Sequence, residues 1–328
     1  EEYGTWVFDT RKKVDAGVDF SSDILEGIAL AKNYKSWLNE SGRDYLKTML
    51  AKAEKNSTDQ LRWQVLSHER LVEILAENPD PASRVESQTY LVRVDRKQAR
   101  FAAWYECFPR SCGFEPGKHG TFRDVIKRLP HIAEMGFDVL YFPPIHPVGF
   151  SKRKGPNNSL TCAPGDPGCP YSIGNQHGGH DAIEPALGTF EDFELLVEEA
   201  ARHGIEIALD FAINCSPDHP YLKQHPEWFS KRPDGTIKFA ENPPKKYEDI
   251  YPINFETSDF KAIWKEMRRI FLFWARKGVK IFRVDNPHTK PFAFWEWVIA
   301  EVQKKYPDVI FLSEAFTRPR VMKALAKL

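Results

Sequence analysis

Hydrophobic spacing divides the chain near residue 100. Before it, apolar residues recur every three to four positions. Asp23 and Glu26 read as N-cap and N3 of a helix in which Ile24, Ile28, Ala31, Tyr34 and Leu38 keep helical spacing. A second helix is predicted from about Asp59 through Leu61, Val65, Val72 and Leu75, and Asn78-Pro79-Asp80-Pro81 stops it. Residues 88–94 then alternate as a strand does. Residues 1–100 therefore read as a helical hairpin inserted in or next to a small β domain, with nothing catalytic in it.

From residue 101 the pattern becomes strand, helix, strand. Strands are predicted over 102–108, 138–142, 205–211, 280–285 and 309–314. One helix is capped by Thr121 with Asp124 at N3 and ends near Gly136, and another is capped by Thr189 with Asp192 and ends at His203-Gly204. A third, capped by Ser258 and closed by Gly278, aligns Phe260, Ile263, Met267, Ile270 and Trp274 on one face. A fourth spans about 291–305. Repeated units of this kind give parallel strands with helices outside, as a doubly wound sheet or a TIM-type barrel.

Polar residues at the strand ends favour the barrel. Asp210 and Asn214, then Arg283 and Asp285, then Glu314 stand where barrel chemistry sits. No glycine-rich phosphate-binding turn follows a strand. The expected fold is α/β: the N-terminal part of a (β/α)8 barrel over 101–328, with long loops at 143–188 and 212–257. Loops of that length in a compact domain are usually functional.

Two carboxyl groups at one barrel mouth suit glycosidic chemistry. One attacks the anomeric carbon ionised, and the other protonates the leaving oxygen. Asp285 is the candidate nucleophile. Arg283, two residues earlier on the same strand, shares its face and would keep it ionised. Glu314, with apolar neighbours, suits the acid/base role, because partial burial raises a carboxyl pKa.

Composition narrows the class. The 328 residues carry 46 Lys+Arg against 46 Asp+Glu, which speaks against a polycation that binds nucleic acid through phosphate. No apolar run approaches the roughly 18 residues of a membrane span. No secretory signal opens the chain, and the expected compartment is the cytoplasm. The absent initial Met predicts further sequence upstream. Cys107, Cys112, Cys162, Cys169 and Cys215 do not read as a disulfide framework. Cys162 and Cys169 bracket a Pro/Gly loop; a local bridge or a pair of metal ligands is open to them, but the spacing is wrong for a zinc knuckle and favours two ordinary thiols. No cluster of metal ligands is apparent, and no cofactor is expected.

The strings Asp210…Asn214, Phe282-Arg283-Val284-Asp285 and Ser313-Glu314 resemble the spaced signature of the α-amylase superfamily of glycoside hydrolases and transglycosidases. Where most amylases have His after the Asn, this chain has Cys215. Where they have Lys-His after the nucleophile, it has Asn286-Pro287-His288-Thr289-Lys290. These departures, with Pro144-Ile145-His146-Pro147, Arg153 to Asn158, Gly178-Gly179-His180-Asp181, Cys215 to Pro220 and Tyr247 to Asn254, resemble the GlgE-type maltosyltransferases. Those enzymes extend α-1,4-glucan from α-maltose 1-phosphate. The helical segment at 20–77 is similar to that family's insertion, which helps form a homodimer.

The resemblance implies roles. Asp285 is the nucleophile, Glu314 the acid/base and Arg283 their cationic partner. Asn242, Lys245, Tyr247 and Asn286 hold the donor phosphate, while Lys154, Asn214 and Asp249 hold the maltosyl unit or the phosphate. His180, Asp181 and His288 are secondary sugar contacts. The implied reaction is a double displacement with retention that releases phosphate and needs no metal. A barrel needs eight strands, so a third catalytic Asp is expected beyond residue 328, and the isolated piece is expected to be inactive. Two alternatives stand beside this one: an amylase-type hydrolase or transglycosidase, and a glucan-binding relative without catalysis.

Overall fold

The computed structural model describes residues 2–83, 85–90, 92 and 94–328. They fall into two compact units, Glu1–Val92 and Arg93–Leu328.

Among the described residues, the first unit holds five α-helices: α1 (Glu2–Asp15), α2 (Ser21–Asn33), α3 (Glu40–Lys55), α4 (Asp59–Leu66) and α5 (Glu69–Glu77). Their core is built on Tyr3, Trp6, Ile24, Leu46, Trp63 and Leu71. The Tyr3 hydroxyl donates to Leu66 O and the Trp6 indole to Asp23 O, so both aromatic residues bury their rings with the polar atom satisfied. Gly27 makes room for the indole, since a Cβ there would lie 2.1 Å from Trp6 Cζ2.

The unit corrects several expectations. There are more helices than a hairpin, because α1 and α3 went unread and the second predicted helix breaks at Ser67-His68. Asp23 is not the N-cap of α2. It sits in the first turn and pairs with Lys13 at 2.6 Å, while Asp19 accepts from the N–H and hydroxyl of Ser21. No strand forms among the described residues of 88–94, where Tyr90, Val92 and Val94 are exposed; Leu91 and Arg93 lie outside the described residues.

The second unit is organised by a sheet of five strands: β1 (Trp104–Glu106), β2 (Val139–Phe142), β3 (Glu206–Phe211), β4 (Ile281–Val284) and β5 (Ile310–Ser313). Each strand pairs in parallel with the next in sequence. A doubly wound sheet reverses its strand order at a switch point; this order never reverses, as in a barrel wall. Strand side chains alternate. Leu140, Phe142, Leu209, Phe211, Phe282 and Val284 face the helix layer, whereas Val139, Ala208 and Ile281 form the base of the inner face. One step further along the strands the same inner face carries Tyr141, Asp210 and Arg283, and the core turns polar there.

The helices dock as their apolar faces dictate. Thr121 with Asp124 and Thr189 with Asp192 make reciprocal capping boxes. Pro130 lies in the first turn of a second short helix, so the first predicted helix is two, Phe122–Ile126 and Leu129–Glu134. The helix Phe260–Arg276 buries Ile263, Met267, Ile270, Phe271 and Trp274, and Phe271 stacks on Phe211 at 3.7 Å. Its N-cap is Asp259 rather than Ser258, and the Asp259 carboxylate accepts from the Trp228 indole instead of capping the helix.

Both long loops are ordered by short pairings. Val148 bridges Ile173 within 143–188. Within 212–257, Asn214–Cys215 pairs with Tyr251–Pro252, and Ala240–Asn242 with Lys245–Tyr247. No helix among the described residues is long and apolar enough to cross a membrane.

Candidate active site

Asp210 and Arg283 are register partners on β3 and β4. Arg283 Nη1 donates to Asp210 Oδ2 at 2.8 Å and to Asp285 Oδ1 at 3.2 Å, and Nη2 pairs closely with Glu314 Oε1. One guanidinium thus binds carboxylates delivered by three consecutive strands. The backbone fixes their height: Asp285 N–H donates to Phe211 O and Glu314 N–H to Val284 O, each extending the parallel ladder past its strand.

Asp285 and Glu314 thus meet at one guanidinium, on Nη1 and Nη2. Burial and the neighbouring Asp285 carboxylate raise the Glu314 carboxyl above its usual range, against the pull of Arg283. Asn286 lies in the left-handed region (φ 45°), a conformation that Asn tolerates better than most residues. Asn214 Nδ2 lies 3.5 Å from Asp285 Oδ2.

Sequence reasoning noted Asp210 at its strand end but gave it no role. It is 2% exposed, and its Oδ2 also accepts from Tyr141 (2.5 Å) and Tyr171 (2.9 Å). Its Oδ1 is buried without a partner. Burial raises this carboxyl to about 7 against Arg283 and the tyrosyl donors. Tyr141 was legible, as the inward polar position two residues after Val139. Tyr171 lies in a loop, where no periodicity marks it. Lys290 was quoted but unassigned: its Nζ sits 5.6 Å over the Phe255 ring, and burial lowers it to about 8 although Asp285 draws it upward.

The other expected residues separate into groups. Asn242 and Lys245 are cross-strand partners in the hairpin, as are Ala240 and Tyr247. Residues two apart share a face, so Asn242, Lys245 and Tyr247 project from one side, with small Ala240 opposite Tyr247, while Lys246 and Glu241 project from the other. Asp249 and Lys154 are buried, and neither Asp249 oxygen has a hydrogen-bond partner. Burial raises the Asp249 carboxyl while the Lys154 charge lowers it. An unpaired buried carboxylate is costly, and ligand hydroxyls are one source of the missing donors. His288 Nδ1 is likewise buried and unpaired.

His180 and Asp181 have protein partners instead. His219 Nδ1 accepts from Tyr221 N–H, so its Nε2–H donates to His180 Nδ1 at 3.1 Å, and His180 Nε2–H donates to Ala212 O at 2.9 Å. Burial holds His180 down to about 4 and His219 well below its usual value, so both rings are neutral. A Cβ on Gly174 or Gly179 would lie 2.2 or 2.3 Å from the His219 ring. The sulfur of Cys215 lies near these nitrogens, but the hydrogen bonds already occupy both rings. His180 therefore clasps the two long loops together and has no free nitrogen for a sugar. Asp181 Oδ2 accepts from Arg269 at 2.8 Å. The thiols of Cys162 and Cys169 are free.

Comparisons with known proteins agree with this geometry. Residues 93–308 match the family model of the α-amylase catalytic domain, and residues 1–96 match domain N/S of α-1,4-glucan:maltose-1-phosphate maltosyltransferase. Proteins named α-1,4-glucan:maltose-1-phosphate maltosyltransferase from Methylacidiphilum infernorum and Chlorobaculum tepidum are 50% and 49% identical over the whole chain. One from Pseudomonas aeruginosa is 60% identical over 74% of the chain and 37% of its own length. The chain spans about half the length of the first two, 49% of each. An α-amylase structure from Lactobacillus plantarum matches 67% of the chain and 46% of its own with TM-score 0.56 at 28% identity. A maltogenic α-amylase from Thermotoga neapolitana matches 68% of the chain and 47% of its own with TM-score 0.54 at 25% identity. The parallel strands in barrel order, the acids at their ends and the family match over 93–308 establish that the chain belongs to the α-amylase catalytic-domain family.

Proposed function

We propose that the full-length protein is a retaining maltosyltransferase. It takes a maltosyl unit from α-maltose 1-phosphate, adds it to the non-reducing end of an α-1,4-glucan and releases phosphate. The observation that carries the chemistry is the contact of Asp285, Glu314 and Arg283 at one mouth. The match of residues 1–96 to a maltosyltransferase domain and the relatives about half identical over the chain favour this donor.

Asp285, held by Arg283, attacks the anomeric carbon. Glu314, whose carboxyl its surroundings raise, gives its proton to the oxygen that leaves with phosphate. The shared face of Asn242, Lys245 and Tyr247 offers an amide, an ammonium and a phenol to the phosphate, with Asn286 beside the nucleophile as a further contact. Lys154, Asp249 and Asn214 hold the maltosyl unit, the two unpaired Asp249 oxygens accepting from its hydroxyls. His288, with its unpaired nitrogen, contacts sugar. The acceptor 4-hydroxyl then attacks the β-linked maltosyl-enzyme with Glu314 as base. A cytoplasmic homodimer, paired through the helical unit, completes the proposal.

The test is to incubate the full-length protein with α-maltose 1-phosphate and a maltooligosaccharide. Phosphate release with products two glucose units longer supports the proposal. Maltose released from glucan without the phosphate donor supports a hydrolase, the reading favoured by the likeness to the L. plantarum α-amylase. Binding without turnover overturns both.

A further inference from the structure

We infer that Cys107 and Cys112 form an oxidation site, a dithiol that closes to an intramolecular disulfide when a small peroxide reaches it. Cys107 directly follows β1, and its N–H extends the ladder to Tyr141 O at 2.9 Å. The chain then makes one tight turn, Pro109–Ser111, and returns Cys112 against it. The two sulfurs are in direct contact, unbonded and buried, at a site where backbone bonds already hold both residues. Cys112 N–H donates to Pro109 O and the Cys112 carbonyl accepts from Arg128 Nε, which pins that side of the turn.

Either sulfur can donate in the contact between them, and the Cys112 thiol also donates to Phe108 O at 3.3 Å. The Arg128 charge draws both thiols toward the thiolate while burial opposes it. One sulfur attacks a peroxide oxygen as its thiolate and breaks the O–O bond, leaving a sulfenic acid and hydroxide, which takes a proton to become water. The other sulfur then attacks the sulfenic sulfur, loses its proton and expels a second water. Two thiols are oxidised to one disulfide, and one peroxide is reduced to two waters. Cys162, Cys169 and Cys215 are free thiols, and Cys162 has Ala163 O as its partner.

Full-length protein treated with a few equivalents of hydrogen peroxide, alkylated under denaturing conditions and mapped by mass spectrometry tests this. The expected result is loss of alkylation at Cys107 and Cys112 together, a peptide mass lower by two hydrogens, and reversal by dithiothreitol. Cys107→Ser is expected to leave Cys112 as a sulfenic or sulfinic acid, trapped by dimedone in its first form. The inference is overturned if both cysteines stay fully alkylated, if wild-type Cys112 goes straight to sulfinic acid, or if Cys162 and Cys169 pair instead.

Discussion

Arg283 on β4 and Asp285, one residue past its end, meet at 3.2 Å across the same face. The same guanidinium holds Asp210 and Glu314, so its removal strips a cation from all three carboxylates. Arg283→Met is expected to lower kcat by about 10²–10³-fold, the cost of losing one well-placed donor at a reacting centre. Steady-state kinetics on protein with an unchanged circular dichroism spectrum checks this.

Glu314 is the proposed acid, and its surroundings raise its pKa. The protonated form persists to higher pH than for an ordinary glutamate, and kcat/KM is expected to fall as pH rises through that raised value. Glu314→Gln removes this basic limb along with most of the activity. A pH–rate profile of the variant that keeps the wild-type limb assigns the acid elsewhere.

Asp210 predicts a stability effect. Its folded value of about 7 lies above the roughly 3.9 of an unfolded aspartate. The native state therefore binds the proton more tightly. Its contribution to stability is complete below the unfolded value and is lost as pH rises through about 7. The difference of about 3 corresponds to at most ~4 kcal/mol. Urea titrations between pH 4 and 8 are expected to show wild type losing stability relative to Asp210→Asn across that window.

The hairpin gives a paired test of the donor site. Lys245→Met is expected to raise KM for the phosphorylated donor about tenfold, roughly 1.4 kcal/mol, with a smaller effect on kcat. Lys246→Met, on the opposite face, is expected to change neither. Equal effects would place the phosphate elsewhere.

In the core, Phe271 packs on Phe211, Phe282 and Phe311. Phe271→Ala is expected to cost about 3–5 kcal/mol, read as a lower urea midpoint.

The sequence made the barrel legible because its three middle strands are largely buried and its longer helices carry strong apolar stripes. Both signals survive without tertiary context. Asp285, Arg283 and Glu314 were legible for the same reason, lying at strand ends where a two-residue period says which way they face. Asp210's tyrosyl partners were only half legible: Tyr141 follows the strand period, but Tyr171 arrives from a loop. His180 and Asp181 look like sugar contacts in sequence because a polar run in a Gly-rich loop does not show its partners. His219 and Arg269, distant in sequence, hold them. In the helical unit, charged residues break up the apolar spacing of α1 and α3, so neither was read. The cap expected at Asp23 was lost to its ion pair with Lys13.

The central claim is that Asp285 is the residue that bonds to sugar. Full-length protein carrying Glu314→Ala, which slows breakdown of the intermediate, is treated with α-maltosyl fluoride, whose leaving group needs no acid, and is digested for mass spectrometry. A maltosyl unit on the peptide containing Asp285, absent from the Asp285→Asn double variant, is the predicted result. A label on another carboxylate, or turnover by Asp285→Asn at near wild-type rate, would contradict the account.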